Sequence, residues 1–148
     1  MAFRFRLQTV LDHRHHLEDL AFNVFAQMQK VQQQCELHIA WLGDELTRAR
    51  LDLAGREQQG MPAKDFILAN EYVTVLRLQV MREQARLPVL KAQTEQARQK
   101  LVEATKKRKV LESLRATHRA DYDREELLQE QRLLDEVAVG SFARRNLS

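Results

Sequence analysis

Apolar residues recur along the first third of the chain in alternating steps of three and four, the spacing of a coiled-coil helix. Two consecutive steps of four, from Val31 through Cys35 to Ile39, form a stutter that locally relaxes a left-handed supercoil. This pattern predicts a first helix over about residues 6–56. Its stripe, with one polar member, consists of Leu7, Val10, Arg14, Leu17, Ala21, Val24, Met28, Val31, Cys35, Ile39, Leu42, Leu46, Ala49 and Leu53.

A second stripe with the same spacing follows and predicts a second, longer helix over about residues 63–139. We expect this helix to end at Gly140 as its C-cap, leaving a short C-terminal tail. Three polar residues interrupt the stripe. Its members are Phe66, Ala69, Val73, Leu76, Val80, Glu83, Leu87, Leu90, Thr94, Ala97, Leu101, Ala104, Arg108 and Leu111.

Helix-breaking residues cluster in one place, between Gly55 and Pro62, which predicts a turn at about residues 57–62. When the chain is folded back there, the two stripes come into register along the whole first arm. The sequence therefore predicts an all-α protein: a single antiparallel, intramolecular coiled-coil hairpin covering residues 1–148. The expected pairs are Ala49 with Val73, Leu46 with Leu76, Leu42 with Val80, Cys35 with Leu87, Ala21 with Leu101, and Val10 with Leu111.

Two irregularities fall on this register. Pro88 removes the hydrogen bond to the carbonyl of Gln84 and lies across from the stutter, which predicts a bend or a loosened turn. Arg14 and Arg108 face each other, so either Glu112 or Asp12 neutralises the layer or both arginines extend outward to solvent. Residues beyond about Leu114 have no counterpart in the first arm, and we expect them to overhang or to pack on the start of the chain.

Composition restricts the function to surfaces. Only four glycines and two prolines are present, charged residues make up 30% of the chain, and the net charge is +3. These values are typical of long solvated helices, which offer no cleft for a small substrate. The single cysteine fits a reducing compartment, and neither a signal peptide nor a membrane-spanning stretch is recognisable, which predicts a cytoplasmic protein.

Candidate chemistry is sparse. His13, His15 and His16 lie close together near the first helix start, but further ligands and supporting carboxylates are not evident. No phosphate-binding loop, nucleophile elbow or zinc-protease motif occurs. We therefore expect no catalytic residues, no metal and no cofactor.

Charge is distributed unevenly in the second arm. Eight Lys and Arg residues lie between Arg98 and Arg119, whereas seven acidic residues lie between Asp121 and Glu136. The basic stretch is either a solvated helix face or a docking band for an acidic protein surface. The acidic stretch directly after it and the absence of interleaved aromatic residues argue against nucleic-acid binding.

Both ends of the chain resemble the FliJ family, the stalk protein of the bacterial flagellar export apparatus. The start of the chain is similar in Phe3-Arg4-Phe5-Arg6-Leu7-Gln8-Thr9-Val10-Leu11, with Arg14 and Glu18. The far end is similar in Lys109-Val110-Leu111-Glu112-Ser113-Leu114, in Tyr122, and in Glu130-Gln131-Arg132-Leu133-Leu134-Asp135-Glu136-Val137-Ala138. Chain length and the position of the turn agree, so the resemblance covers essentially the whole chain.

The resemblance implies a non-enzymatic protein peripheral to the inner membrane at the flagellar base. In that family the end bearing the termini enters a hexameric export ATPase and promotes its assembly and activity. The stalk also contacts the membrane export gate and recycles export chaperones. For ATPase contact the resemblance and the charge pattern favour Arg14, Lys106, Lys107, Arg108 and Glu112.

Three residues match the family's gate-docking surface in type and position: Leu42, Tyr72 and Leu76. Leu42 and Leu76 also belong to the predicted stripes, where core packing would occupy them, so Tyr72 is the better contact candidate. The chain departs from the family's residue types on that surface at His38, Glu45, Ala49, Gln79 and Glu83.

Two alternatives remain open at the level of sequence. A generic coiled-coil scaffold would dimerise through the overhang, whereas the stalk hypothesis expects a monomer at micromolar concentration. A basic nucleic-acid-binding helix would bind in a strongly salt-dependent manner.

Overall fold

The computed structural model describes residues 2–147, and within them the chain is all-α. Helix α1 comprises Gln8–Gln59 and helix α2 comprises Ala63–Leu147, with 52 and 85 residues respectively. The two long helices pack against each other in antiparallel directions, because Met28 contacts Thr94 (3.3 Å) while Cys35, later in α1, contacts Glu83 (3.5 Å), earlier in α2. The predicted fold class, including the longer second helix, is confirmed.

The turn between the helices is shorter than expected and consists of residues 60–62. Gly60 has a φ of 82°, a left-handed angle that glycine adopts without a steric penalty, and its N–H donates to the Glu57 carbonyl at 3.2 Å. The Pro62 carbonyl accepts a hydrogen bond from the N–H of Phe66 at 3.1 Å, so helix α2 starts directly after the proline. Gly55, although flexible in principle, lies inside helix α1.

The expected end of the second helix at Gly140 is wrong, because helix α2 continues to Leu147. A glycine inside a helix costs only about 1 kcal/mol relative to alanine, and it ends a helix only when the following residues also favour termination. Here the following residues include Ala143, Arg144 and Arg145, which are good helix formers, and the two arginines complement the negative end of the helix dipole. The predicted C-terminal tail is therefore helical as far as Leu147.

The chain divides into two compact units. The terminal unit is formed by Met1–Glu18 together with Glu103–Ser148, and the central unit by Asp19–Val102. In the central unit, every predicted α2 stripe position from Phe66 to Leu101 is buried or half-buried. Pro88 lies on the exposed side, and helix α2 continues through it without interruption.

The first stripe differs from its prediction at two positions. Val24 is exposed and Phe25 is half-buried in its place, and in the terminal unit Val10 is 41% exposed whereas Leu11 is only 3% exposed. Around the expected stutter, Val31, Cys35 and Ile39 are all buried or half-buried, and Gln32 is half-buried beside them. The buried or half-buried positions of α1 in the central unit are Ala21, Phe25, Met28, Val31, Gln32, Cys35, Ile39, Leu42, Gly43, Glu45, Leu46, Ala49 and Leu53.

None of the helices described contains a segment long and apolar enough to span a membrane.

Packing predicts which leucines of α1 stabilise the pair of helices. Leu42 is 1% exposed, whereas Leu37 on the same helix is 64% exposed. We expect Leu42→Ala to lower the free energy of unfolding by about 2–5 kcal/mol through lost burial and a residual cavity. The control Leu37→Ala should change it by less than about 0.5 kcal/mol. Urea unfolding followed by circular dichroism measures both, and equal losses in the two variants would contradict this packing.

Candidate protein-interaction surfaces

A charged layer connects α1 and α2 inside the terminal unit. The Arg108 guanidinium donates from Nε to Glu18 Oε2 at 2.7 Å and from Nη1 to Glu112 Oε2 at 2.6 Å. Glu112 also lies 3.2 Å from His15 Nε2. The Arg108 side chain is only 18% exposed, so the alternative that it extends outward to solvent is wrong. Glu112 neutralises this layer as expected, but the second carboxylate is Glu18 and not Asp12, which accepts a hydrogen bond from Gln8.

The charged layer perturbs the protonation of its members. The hydrogen bond from Arg108 is the main cause that holds the pKa of the Glu18 carboxyl below its usual value, and burial opposes this effect only in part. The same contact raises the pKa of Arg108. Both groups are therefore charged at neutral pH, and their charge-assisted hydrogen bond fixes α1 against α2 at this level.

Two phenylalanines of the N-terminal segment pack onto α2 in the same unit. Phe5 is buried with its ring edge-on to His118 at 5.7 Å, and Phe3 lies 5.6 Å from the Tyr122 ring. The Arg119 guanidinium stacks over Phe3 at 5.2 Å. The chain start therefore covers α2 as far as Tyr122, which agrees with the expectation that the overhang packs on that start. Residues 123–139 and 141–147 of α2 are exposed beyond this contact.

The five residues proposed for ATPase contact have different environments. Arg108 and Glu112 belong to the charged layer, and Arg14 is half-buried in α1. Lys106 and Lys107 are exposed, and Lys106 forms only a solvated pair with Glu103 at 3.7 Å. The two lysines are thus available to an external partner, whereas Arg108 holds the helices together.

The three residues proposed for gate contact come together at one groove in the central unit. Leu42 and Leu76 are buried at its floor, and the exposed Tyr72 side chain lies at its rim. The groove has a volume of about 530 Å³. Its further lining residues are His38, Trp41, Val75, Gln79, Arg82 and Glu83.

Trp41 is the groove residue that the sequence analysis missed. Its indole is exposed and stacks on the His38 imidazole with the ring centres 6.3 Å apart. A large apolar side chain on the solvent side of a coiled coil, and the only tryptophan of the chain, is a recognisable signal for a contact residue. The sequence alone does not show that Trp41 shares a groove with Tyr72, because Tyr72 lies on the other helix.

Glu83 occupies one end of the groove and gathers several polar groups. Its carboxylate accepts a hydrogen bond from the Cys35 thiol at 3.5 Å and lies 3.7 Å from His38 Nδ1 and 3.6 Å from Arg86. Burial is the main cause that raises the pKa of Cys35, with Glu83 contributing in the same direction. The thiol is therefore protonated at neutral pH, and it acts as a packed side chain beside Glu83.

Among residues 2–147, no group of three His, Cys, Asp or Glu side chains is placed to hold a metal ion. The charged layer, the exposed lysines and the groove are all surfaces, and each is built by the packing of two helices. These features define a helical-hairpin protein whose described sites suit contact with other macromolecules.

Comparison with known families identifies this hairpin further. The sequence model of the family described as Flagellar FliJ protein matches residues 3–147, nearly the whole chain. The chain therefore belongs to the FliJ family and is a component of the flagellar export apparatus. No curated protein and no solved structure matched the chain.

The charged layer predicts a pH-dependent stability. Because Arg108 lowers the folded-state pKa of Glu18 from 4.5, the pair stabilises the chain above that pH, and this contribution is lost as the pH falls through the lowered value. We expect Glu18→Gln to lower the melting temperature near neutral pH. The melting temperature of this variant should also fall less than that of the wild type when the pH is lowered. Thermal melts by circular dichroism across this pH range measure both effects.

Glu95→Gln is the matched control, because the Glu95–Arg98 pair lies within α2 and is half exposed. Such solvated pairs contribute little to stability, so its melting temperature should stay close to that of the wild type. An equal loss in the two variants would show that the contact between Glu18 and Arg108 adds nothing specific.

Proposed function

We propose that this chain is a non-enzymatic stalk of the flagellar export apparatus, whose terminal unit inserts in the hexameric export ATPase ring. The main support is the distribution of charge in that unit. Arg108 is fixed between two carboxylates, which makes a rigid base, while Lys106 and Lys107 next to it stay exposed to solvent. Exposed charges on a rigid helix can contact loops of a ring without burying a large apolar area.

In this proposal the terminal unit promotes assembly and activity of the ATPase. Arg14, Lys106 and Lys107 supply contacts to the ring, and Arg108 with Glu112 orients the helix that carries the lysines. A partner that binds the hexamer more tightly than the free subunits shifts the equilibrium toward the hexamer.

The central unit contacts the export gate through its groove. Tyr72 and Trp41 offer exposed aromatic surface at the rim, and the buried Leu42 and Leu76 set the shape of the floor. Aromatic anchors around a small apolar depression are a common composition of binding hot spots. The same stalk is proposed to hand over export chaperones and to act at the cytoplasmic face of the inner membrane, at the flagellar base.

The ATPase contact predicts a gain of activity that depends on the exposed lysines. Adding the wild-type chain to its host's purified export ATPase should increase both hydrolysis rate and hexamer formation. The double variant Lys106→Glu/Lys107→Glu should reduce this stimulation about tenfold or more, since reversed charges oppose docking. Phosphate release and sedimentation velocity measure the two effects.

Lys91→Glu provides the control, because Lys91 is an exposed lysine of the central unit. It should stimulate the ATPase like the wild type. Absence of any wild-type effect on hydrolysis and assembly over a wide concentration range would refute the stalk proposal.

The gate contact predicts a separable defect. Tyr72→Ala and Trp41→Ala should each weaken binding to the gate's cytoplasmic domain by about tenfold or more, as expected for exposed aromatic anchors. Both should leave ATPase stimulation intact, and Leu78→Ala, an exposed apolar position of the same helix, should affect neither property. Isothermal titration with the gate domain tests this, and wild-type affinity in both aromatic variants would contradict it.

A further inference from the structure

In the part of α2 that belongs to the terminal unit, positive charge predominates before Ala120 and negative charge predominates after it. Lys106 and Lys109 precede it, and Glu130 and Asp135 follow it at similar distances along the helix. All four side chains are exposed. Within residues 2–147, Lys109, Glu130 and Asp135 have no ion-pair partner in their own chain.

One face of the same helix segment combines small and apolar residues. Positions 113, 116, 120, 127 and 134 are separated by three, four or seven residues and therefore lie along one side of α2, which also carries Asp123 and Glu130. Ser113, Ala116 and Ala120 are small, whereas Leu127 and Leu134 are large, and all five are exposed. Leu134 leaves 68% of its surface open to solvent.

A groove runs beside this face inside the terminal unit. It has a volume of about 690 Å³ and is lined by Ala116 and Ala120 of α2 together with Gln8 and His15 of α1. Its remaining lining includes Arg119 and Asp123, a basic and an acidic residue at its edge. A helix laid on the small residues would fill this groove and cover the exposed leucines.

We propose that the occupant of this face is α2 of a second copy of the chain, aligned antiparallel with a two-fold axis at Ala120. In this alignment Leu127 of each copy meets Ser113 and Ala116 of the other, where small side chains permit close approach of the helices. At the two ends of this face, Lys106 comes beside Leu134 and Asp135 of the second copy, and Lys109 comes beside Glu130. A two-fold interface forms each of these pairs twice.

The charge pattern decides the direction of the second helix. A parallel alignment would bring Lys106 and Lys109 against the same lysines of the other copy, and acidic residues against acidic ones. Like charges at such positions are destabilising, whereas the antiparallel alignment places opposite charges together. The charge complementarity therefore selects a second copy in one orientation.

This association does not rest on the proposed stalk function. If this dimer forms, the expected monomer predominates only at protein concentrations below the dissociation constant of the dimer. Because the interface includes Lys106, the dimer and the proposed ATPase contact would compete for the same surface.

Charge reversal tests the proposal by sedimentation equilibrium. The wild-type chain should show a concentration-dependent monomer–dimer equilibrium. The variant Lys106→Glu/Lys109→Glu and the variant Glu130→Lys/Asp135→Lys should each raise the dissociation constant at least about tenfold, because each places like charges together. An equimolar mixture of the two variants should restore the dimer, because opposite charges then meet again.

Cross-linking tests the position of the axis. In a Cys35→Ser background, Ala120→Cys should be linked to its counterpart by a short thiol-specific cross-linker, since Ala120 lies on the two-fold axis. Ser113→Cys, on the same exposed face, should not be linked to itself, because it faces Leu127 of the other copy. Circular dichroism establishes that both variants retain the wild-type helix content.

Several results would overturn the proposal. A wild-type chain that stays monomeric at all concentrations would exclude the dimer. A dimer that persists in both charge variants would exclude this interface, and self-linking at both cysteine positions would indicate a parallel alignment. The ATPase experiment is separate, so stimulation without dimerisation would remove this inference and leave the proposed function in place.

Discussion

The packing of one helix stripe against another is the constraint on which all other features of this chain depend. In a pair of helices each residue can be covered from one side only, so the apolar core is a single line of contacts. Only eight side chains among residues 2–147 are buried, among them Leu42, Val73 and Leu76. The surface that remains is large, charged and continuous, and the residues available for function must therefore lie on it.

Polar residues within the stripes fix the alignment of the helices. Across the interface, Thr94 donates a hydrogen bond to the Met28 carbonyl and Arg108 donates one to Glu18. The Glu83 carboxylate accepts a hydrogen bond from the Cys35 thiol. Each of these groups finds its partner in one antiparallel register, and shifting the helices would leave a partly buried polar group unpaired. Apolar side chains tolerate several registers, so these three layers give the hairpin its specificity.

The sequence predicted the α2 stripe correctly, although apolar residues such as Leu68, Val75 and Val89 lie beside it, because one set of positions keeps alternating steps of three and four from Phe66 to Leu101. In α1, Val10 competes with Leu11 and Val24 with Phe25, and steps of three and four are equally permitted; the larger side chain took the packed position in each pair. The residues proposed for gate contact were inferred from the family resemblance. Those proposed for ATPase contact were inferred from the resemblance together with the charge pattern. Neither source identified Trp41, because its neighbour Tyr72 belongs to the other helix and only packing joins them.

The unequal lengths of the helices explain why α2 carries uncovered apolar residues beyond Tyr122. Helix α2 has 85 residues against 52 in α1, and the N-terminal segment covers it only as far as Tyr122. Apolar residues such as Leu127 and Leu134 are then exposed in the acidic segment of α2 between Asp121 and Glu136. Exposed apolar area of this kind favours association, and the neighbouring charges restrict which surface is accepted. In the proposed association, the mismatch in helix length would thus give a binding specificity, because the apolar residues would supply the affinity and the acidic residues would select a basic surface.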